Sequence, residues 1–175
     1  MSLTILTADE LKNIEMLAAN QLGADALMKR AGAAAADLIM KRLEAAGVEQ
    51  RRVTLLVGPG NNGGDALACA CELREKGAVV NVVLPGGRRP PSALALAQLE
   101  RWIAQGGATY DDPYMTEKAD CVVDGLFGTG LTKPITGDYL DAVLWFNGRQ
   151  ALTVSLDIHS GLHPVPGHWA GGDRG

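Results

Sequence analysis

Aromatic residues are scarce in this chain, 5% of 175, too few to build the stacking platforms that bind single-stranded nucleic acid. Basic residues are not in excess either. Sixteen Lys and Arg stand against 20 Asp and Glu, for a net charge of −4. No basic run is long enough for a polyanion-binding tail, so nucleic acid is not an expected partner. Long apolar runs are missing too. Asp9, Glu10, Lys12 and Glu15 come too early for a signal-peptide core, and no uncharged stretch is apolar enough to cross a bilayer. A cytoplasmic protein without a membrane partner is expected. The three cysteines, an odd number, exclude a fully paired disulfide framework. Cys69 and Cys71 fall in an expected helix and Cys121 opens an expected strand, so all three read as reduced core residues. Two apart on a helix, Cys69 and Cys71 face different ways and make no metal pair. There is no internal repeat, coiled coil or low-complexity linker.

What is present is a 47% hydrophobic chain, enough to bury one substantial core, and residues 1–175 are expected to form a single domain. Thr7 and Glu10 fit a capping box, and Leu11, Ile14, Leu17 and Ala18 then recur at helical spacing to about Gln21. A second, alanine-rich helix is expected over 24–46, with Leu27, Ala31, Ala34, Leu38 and Ile39 on one face and Gly47 as its stop. Beyond it the pattern alternates: strand 53–57, helix 65–76, strand 79–84, helix 92–104, strand 121–127, helix 137–146, strand 152–158. A short element is expected between Gly107 and Asp111. Such alternation predicts crossover units and a largely parallel sheet covered on both faces.

The densest glycine cluster follows the first strand. Residues 58–65 read Gly-Pro-Gly-Asn-Asn-Gly-Gly-Asp, and 58–63 satisfy the G-x-G-x-x-G dinucleotide pattern between a strand and a helix. The phosphate-loop alternative needs a lysine and a hydroxyl after the last glycine, where this chain has Gly64 and Asp65. A carboxylate in the first helical turn suits the helix dipole but repels a phosphate. The cradle therefore favours a hydroxyl, a cation, or a ligand whose phosphates lie elsewhere. The plainer reading is that Asp65 caps the helix.

In a doubly wound sheet ligands bind beyond the carboxyl ends of the strands. Two further loops there are unusual: Asp124 to Pro134, with an acid, three glycines that allow tight approach and Lys133, and Asp157-Ile158-His159-Ser160-Gly161. The loop after the second strand carries Arg88 and Arg89 in place of the acid of an NAD site, which leaves an NADP-dependent dehydrogenase-like nucleotide binder as one reading.

These three loops, with Leu27-Met28-Lys29-Arg30-Ala31-Gly32 near the N-terminus, resemble the NAD(P)HX epimerase family, also called the YjeF N-terminal domain. The resemblance implies a Rossmann-like three-layer α/β/α fold with two N-terminal helices. It implies interconversion of the R and S forms of hydrated NADH or NADPH, a homodimer, and a dehydratase domain or partner to finish the repair. It also implies bound potassium, with Asn62, Asp124 and Ser160 as its ligands. Asn61, Asn62, Gly63, Gly64 and Asp65, together with Gly128, Thr129, Gly130, Leu131, Thr132, Lys133 and Pro134, would line the substrate site. Asp157 would contact the hydrated ring. Because the hydrate needs an acid to help hydroxide leave and a base to guide water back, Asp157 is the first candidate for that role and Asp65 the second.

Two positions depart from the pattern. The family usually has proline where this chain has His159, and members usually continue with further strands and helices where residues 167–175 are polar and glycine-rich. A member cut short is therefore one expectation. His163 and His168 are separated by Pro164 and Pro166 and make no helical zinc pair. Relatives that serve as RNA-associated assembly scaffolds supply the rival reading, against which the retained Asn62, Asp124 and Asp157 weigh.

Overall fold

Short runs, most of them rich in valine and leucine, fold here into five parallel strands rather than hairpins, because a helix separates most of them. The structure, a computed structural model, describes residues 8–161. In chain order its elements are α1 (Ala8–Leu22), α2 (Ala24–Ala45), β1 (Arg52–Val57), α3 (Asn61–Glu75), β2 (Val79–Val83), α4 (Ala93–Ala104), β3 (Thr109–Tyr110), β4 (Cys121–Gly125), α5 (Asp138–Asn147) and β5 (Leu152–Ser155). The strand order is β3-β2-β1-β4-β5, with every pairing parallel.

The chain runs outward from β1 in one direction, then returns to β4 on its other side. Loops after β1 and β4 diverge there, which makes this the crevice where open α/β sheets bind ligands. Both faces of the sheet are covered, giving the three-layer α/β/α arrangement. Val53, Leu55, Val57, Val82, Cys121 and Val123 pack with α2, α3 and α4 on one side. Leu56, Val83 and Val122 pack with Ala142, Trp145 and Phe146 of α5 on the other. The three cysteines are free and buried, and burial pushes the Cys71 thiol up to about 11 and that of Cys121 to about 12. No helix among the described residues is long and apolar enough to cross a membrane.

The elements match the expected alternation, and β3 is the short element before β4, but several boundaries shift. The strands expected over 121–127 and 152–158 stop at Gly125 and Ser155, since Asp124 takes the Leu126 N–H and Asp157 turns to φ 65°. The helix expected from Asp65 begins at Asn61. The face of α2 is also different. Met28, Gly32, Ala36, Ile39 and Leu43 are buried, whereas Leu38 is 48% exposed. In so alanine-rich a helix hydrophobic contrast is weak, and close approach decides instead: a Cβ on Gly32 would lie 2.6 Å from the Ala68 Cβ and the Cys69 nitrogen of α3. The expected Thr7 cap and the segment carrying His163 and His168 lie outside the described residues.

Away from the crevice, the starts of β1 and β4 are clamped together. The Arg52 N–H donates to Asp120 Oδ2 at 2.9 Å, its guanidinium reaches Oδ1 at 3.3 Å, and the Asp120 N–H donates to the Arg52 carbonyl at 2.8 Å. The Arg52 N–H, and secondarily its side chain, hold the Asp120 carboxyl below its ordinary value. A lowered folded value stabilises the fold above the unfolded carboxyl pKa and is lost as pH falls through the folded one. Asp120→Asn is expected to cost roughly 1 kcal/mol at neutral pH. Urea unfolding should show that difference at pH 7 and its loss below about pH 3.

Candidate functional site

The loops after β1 and β4 meet with almost no room between them. A side chain at residue 58 would strike the Leu126 carbonyl, and one at residue 63 the Gly58 carbonyl. The Gly58 N–H donates to the Gly125 carbonyl at 3.0 Å. A side chain at Gly125 would meet the Ala66 Cβ of α3. Here glycine serves close backbone approach rather than a left-handed turn.

This contact places the start of α3 against the end of β4. Asn61 is exposed, Asn62 half-buried, and Gly63 and Gly64 buried. All four lie inside the helix instead of in a loop before it. Asp65 is consequently one turn in, half-buried, and the reading of it as a helix cap fails. The N-cap is Gly60, which offers no side chain, so the first N–H groups of α3 face the crevice without helical acceptors.

Asp124, next to last in β4 and 1% exposed, ties two loops together. It accepts the Leu126 N–H at 3.1 Å, the Ser160 N–H at 2.7 Å and the Ser160 hydroxyl at 2.6 Å. The Phe127 N–H in turn donates to Ser160 Oγ at 3.0 Å. His159 stands beside this group, with Nδ1 4.0 Å from Asp124 Oδ2 and 3.0 Å from the Ser160 carbonyl, and its ring set edgewise on Phe146. The register pairs Leu56 with Asp124 and Val57 with Gly125. The Asn62 carbonyl lies 3.4 Å from where a Gly125 Cβ would be, so Asn62 adjoins the end of β4. Its side-chain Nδ2 is buried without a partner.

Asp157 occupies the mouth. It is exposed and takes a left-handed backbone with φ 65°, which aspartate tolerates better than most residues. Its Oδ2 accepts the Thr129 N–H at 2.7 Å, and any side chain at Gly128 would strike its carboxylate. The bond to Thr129 uses one carboxylate oxygen. Farther along the same loop Gly130, Thr132, Lys133 and Pro134 are exposed and Leu131 half-buried; its first turn closes by the Leu131 N–H on the Gly128 carbonyl at 3.1 Å.

Asn62, Asp124 and Ser160 are thus gathered at the strand ends, with Asp157, Gly128 and Thr129 as a second cluster reached through Phe127 and Ser160. Arg88, from the loop after β2, pairs with Asp138 of α5 at 3.2 Å. Sequence reasoning read Gly58 and Gly125 as parts of glycine-bearing ligand loops and missed that they bring the two loops into contact with each other; it also missed the Phe127 N–H. Among the described residues no three His, Cys, Asp or Glu are grouped to hold a metal. One carboxylate, one hydroxyl and one amide suit a hard, loosely held cation instead, and an amide turned to present Oδ1 would remove the orphaned Asn62 Nδ2. A cleft of about 430 Å³ beside Tyr114, Lys118, Trp145 and Arg149 contains none of these residues.

Comparison with known proteins bears on the family to which the chain belongs. Residues 24–172 match the family described as YjeF-related protein N-terminus. The chain is 40% identical over 153 residues to a Bordetella pertussis protein named NAD(P)H-hydrate epimerase, covering 86% of this chain and 64% of that protein. It is 39% identical to one of the same name from Cenarchaeum symbiosum, covering 82% and 68%. A Leishmania infantum protein named bifunctional NAD(P)H-hydrate repair enzyme is 35% identical, covering 88% of this chain and 28% of that one. The crystal structure of yeast ynu0, YNL200c, superposes with a TM-score of 0.75 over 91% of this chain and 72% of that one, at 23% identity. The match to its first relative thus spans under two thirds of that protein's length, and by its sequence, its folding pattern and its loops the chain belongs to the YjeF-related N-terminal family.

Proposed function

We propose that this chain epimerises hydrated NADH and NADPH. The observation that carries the reading is the meeting of Asn62, the Asp124 and Ser160 pair, and the loop joining Asp157 to Thr129, all at the point where the strand order reverses, in a chain that belongs to this family. The hydrated ring is a hemiaminal. Its ring nitrogen shares a carbon with the hydroxyl, so the nitrogen lone pair can expel that hydroxyl once it is protonated. Asp157, with one oxygen already held by Thr129, donates the proton as water leaves and an iminium forms. Water then adds to the opposite face of the planar carbon and loses its proton to a carboxylate. Asp65, one turn into α3, is the second candidate for this acid and base role. Proton transfer of this kind contributes about 10² to 10⁴ in rate.

Potassium is part of the proposal, held by Asn62, Asp124 and Ser160 with Asp124 supplying the charge. Bound there, it would offset negative charge and orient ligand oxygens. Gly63, Gly64 and the loop from Gly128 to Pro134 would line the nucleotide. A homodimer is supported by the half-exposed Ile14, Met16, Leu17 and Leu22 of α1. The bifunctional name of the Leishmania relative supports a companion dehydratase, in the same or a partner polypeptide, and we place the activity in the cytoplasm.

Chromatography that resolves the NADHX epimers should show faster exchange with the protein than without it. No acceleration by a folded protein in potassium would remove the proposal. Asp157→Asn is expected to lower the rate at least about 100-fold, and Asp65→Asn less. Replacing potassium by lithium should slow the wild type, while Asp124→Asn should abolish that dependence. Since Asp124→Ala would leave the buried Leu126 and Ser160 N–H groups unpaired, it should also lower thermal stability by about 1 to 3 kcal/mol.

A further inference from the structure

Residues 27–32 take no part in that chemistry, yet their packing converges on the glycine cluster. Met28 is buried, and a Cβ built on Gly64 would lie 2.5 Å from its Cε, 2.7 Å from its Sδ and 3.2 Å from the Ala95 Cβ. Three helices therefore meet at Gly64, with α2 supplying Met28 and α4 supplying Ala95. One turn from each of these, Gln98 Nε2 of α4 donates to Asp25 Oδ1 of α2 at 2.8 Å. Gln98 is 1% exposed, and Lys29 holds the other oxygen of Asp25 at 2.7 Å. Asp25, Met28 and Gly32 form one stripe along α2, and Gly32 is where that helix touches Ala68 and Cys69.

The first turn of α3 needs such support. Its sequence is Asn-Asn-Gly-Gly, two residues of low helix propensity followed by two of the lowest short of proline. Its N-cap, Gly60, makes no side-chain bond. A helix start of this composition frays unless tertiary packing holds it. The absent side chain of Gly64 is the socket, and the unbranched thioether of Met28 is the residue type that fills irregular space.

We infer that Met28, backed by the hydrogen bond between Asp25 and Gln98, is a positioning residue that holds the first turn of α3, and with it Asn61 and Asn62, against the end of β4. Its link to catalysis rests on the reading of Asn61 and Asn62 as site residues; the brace itself does not.

Amide hydrogen exchange on the full chain separates the two. Met28→Ala should speed exchange of amides 64–66 about tenfold while amides 71–75 change less than about twofold, and Met28→Leu, which refills the socket, should stay close to wild type. An even rise along α3, or no rise at 64–66, would overturn the brace. Should Met28→Ala not fold, Gln98→Leu keeps the volume and removes the hydrogen bond. It should give the same local pattern at about threefold, with the same outcomes against it. In the epimer assay Met28→Ala should raise KM for NADHX about fivefold with a smaller change in kcat, and Met28→Leu should restore it. A local exchange change beside an unaltered KM would sever the brace from the site. A wild type that leaves the epimers unchanged would remove the functional reading and leave the exchange result standing.

Discussion

The carbonyl of Leu126 occupies the space that a side chain at residue 58 would need, and the geometry of the crevice follows from that contact. Two loops that diverge from adjacent parallel strands would ordinarily leave a wide gap. Here backbone meets backbone, with the Gly58 N–H on the Gly125 carbonyl and the side of α3 packed on Gly125 through Ala66. The glycines at 58, 63 and 125 are thus one requirement met three times. Interiors are close-packed and do not absorb extra atoms without backbone shifts. The start of α3 is in consequence delivered to the end of β4, which brings Asn62 of the helix beside the strand that carries Asp124.

Given that frame, Asp124 does what a buried charge must do to be tolerated. A carboxylate out of water needs donors on its lone pairs, and Leu126 and Ser160 supply three. The same bonds fold the loop after β5 across the loop after β4. The link continues from Ser160 to Phe127 and from Thr129 to Asp157, so the most exposed acid of the site is anchored through its most buried one. Catalytic geometry depends on such fixed orientation. The clamp of Arg52 on Asp120 secures the opposite ends of β1 and β4.

Much of the fold was legible from local pattern. Cys121 to Val123 reads as a parallel strand buried on both faces and is so; Val79 to Val83 reads the same way and is parallel, but only Val82 and Val83 are buried and Val79 is 53% exposed. Asp124, Asp157 and Ser160 could be singled out since acids and a hydroxyl at strand ends have few structural reasons to be there. The start of α3 was not legible. Asn-Asn-Gly-Gly argues locally against a helix, and the packing of Met28 and Ala95 that permits one comes from α2 and α4, far along the chain. The buried stripe of α2 was misread for a related reason: alanine carries little hydrophobic contrast, and Gly32, the residue that sets the contact, carries no side chain at all. What local pattern cannot express is close approach, which depends on atoms a residue lacks.

His159 holds the shape of its loop through contacts with its neighbours. A proline there would fix φ through its own ring. Histidine leaves φ free, and the constraint comes instead from contacts: Nδ1 on the Ser160 carbonyl and the ring edgewise on Phe146 of α5. The stiffness of this loop is therefore packed and shared with α5. The loop also carries Asp157 in a left-handed backbone, a conformation that persists only where its surroundings over-determine it. Those surroundings are the Thr129 bond on one side of Asp157 and the Ser160 network on the other. Through His159, part of the support for the exposed acid comes from Phe146 of α5.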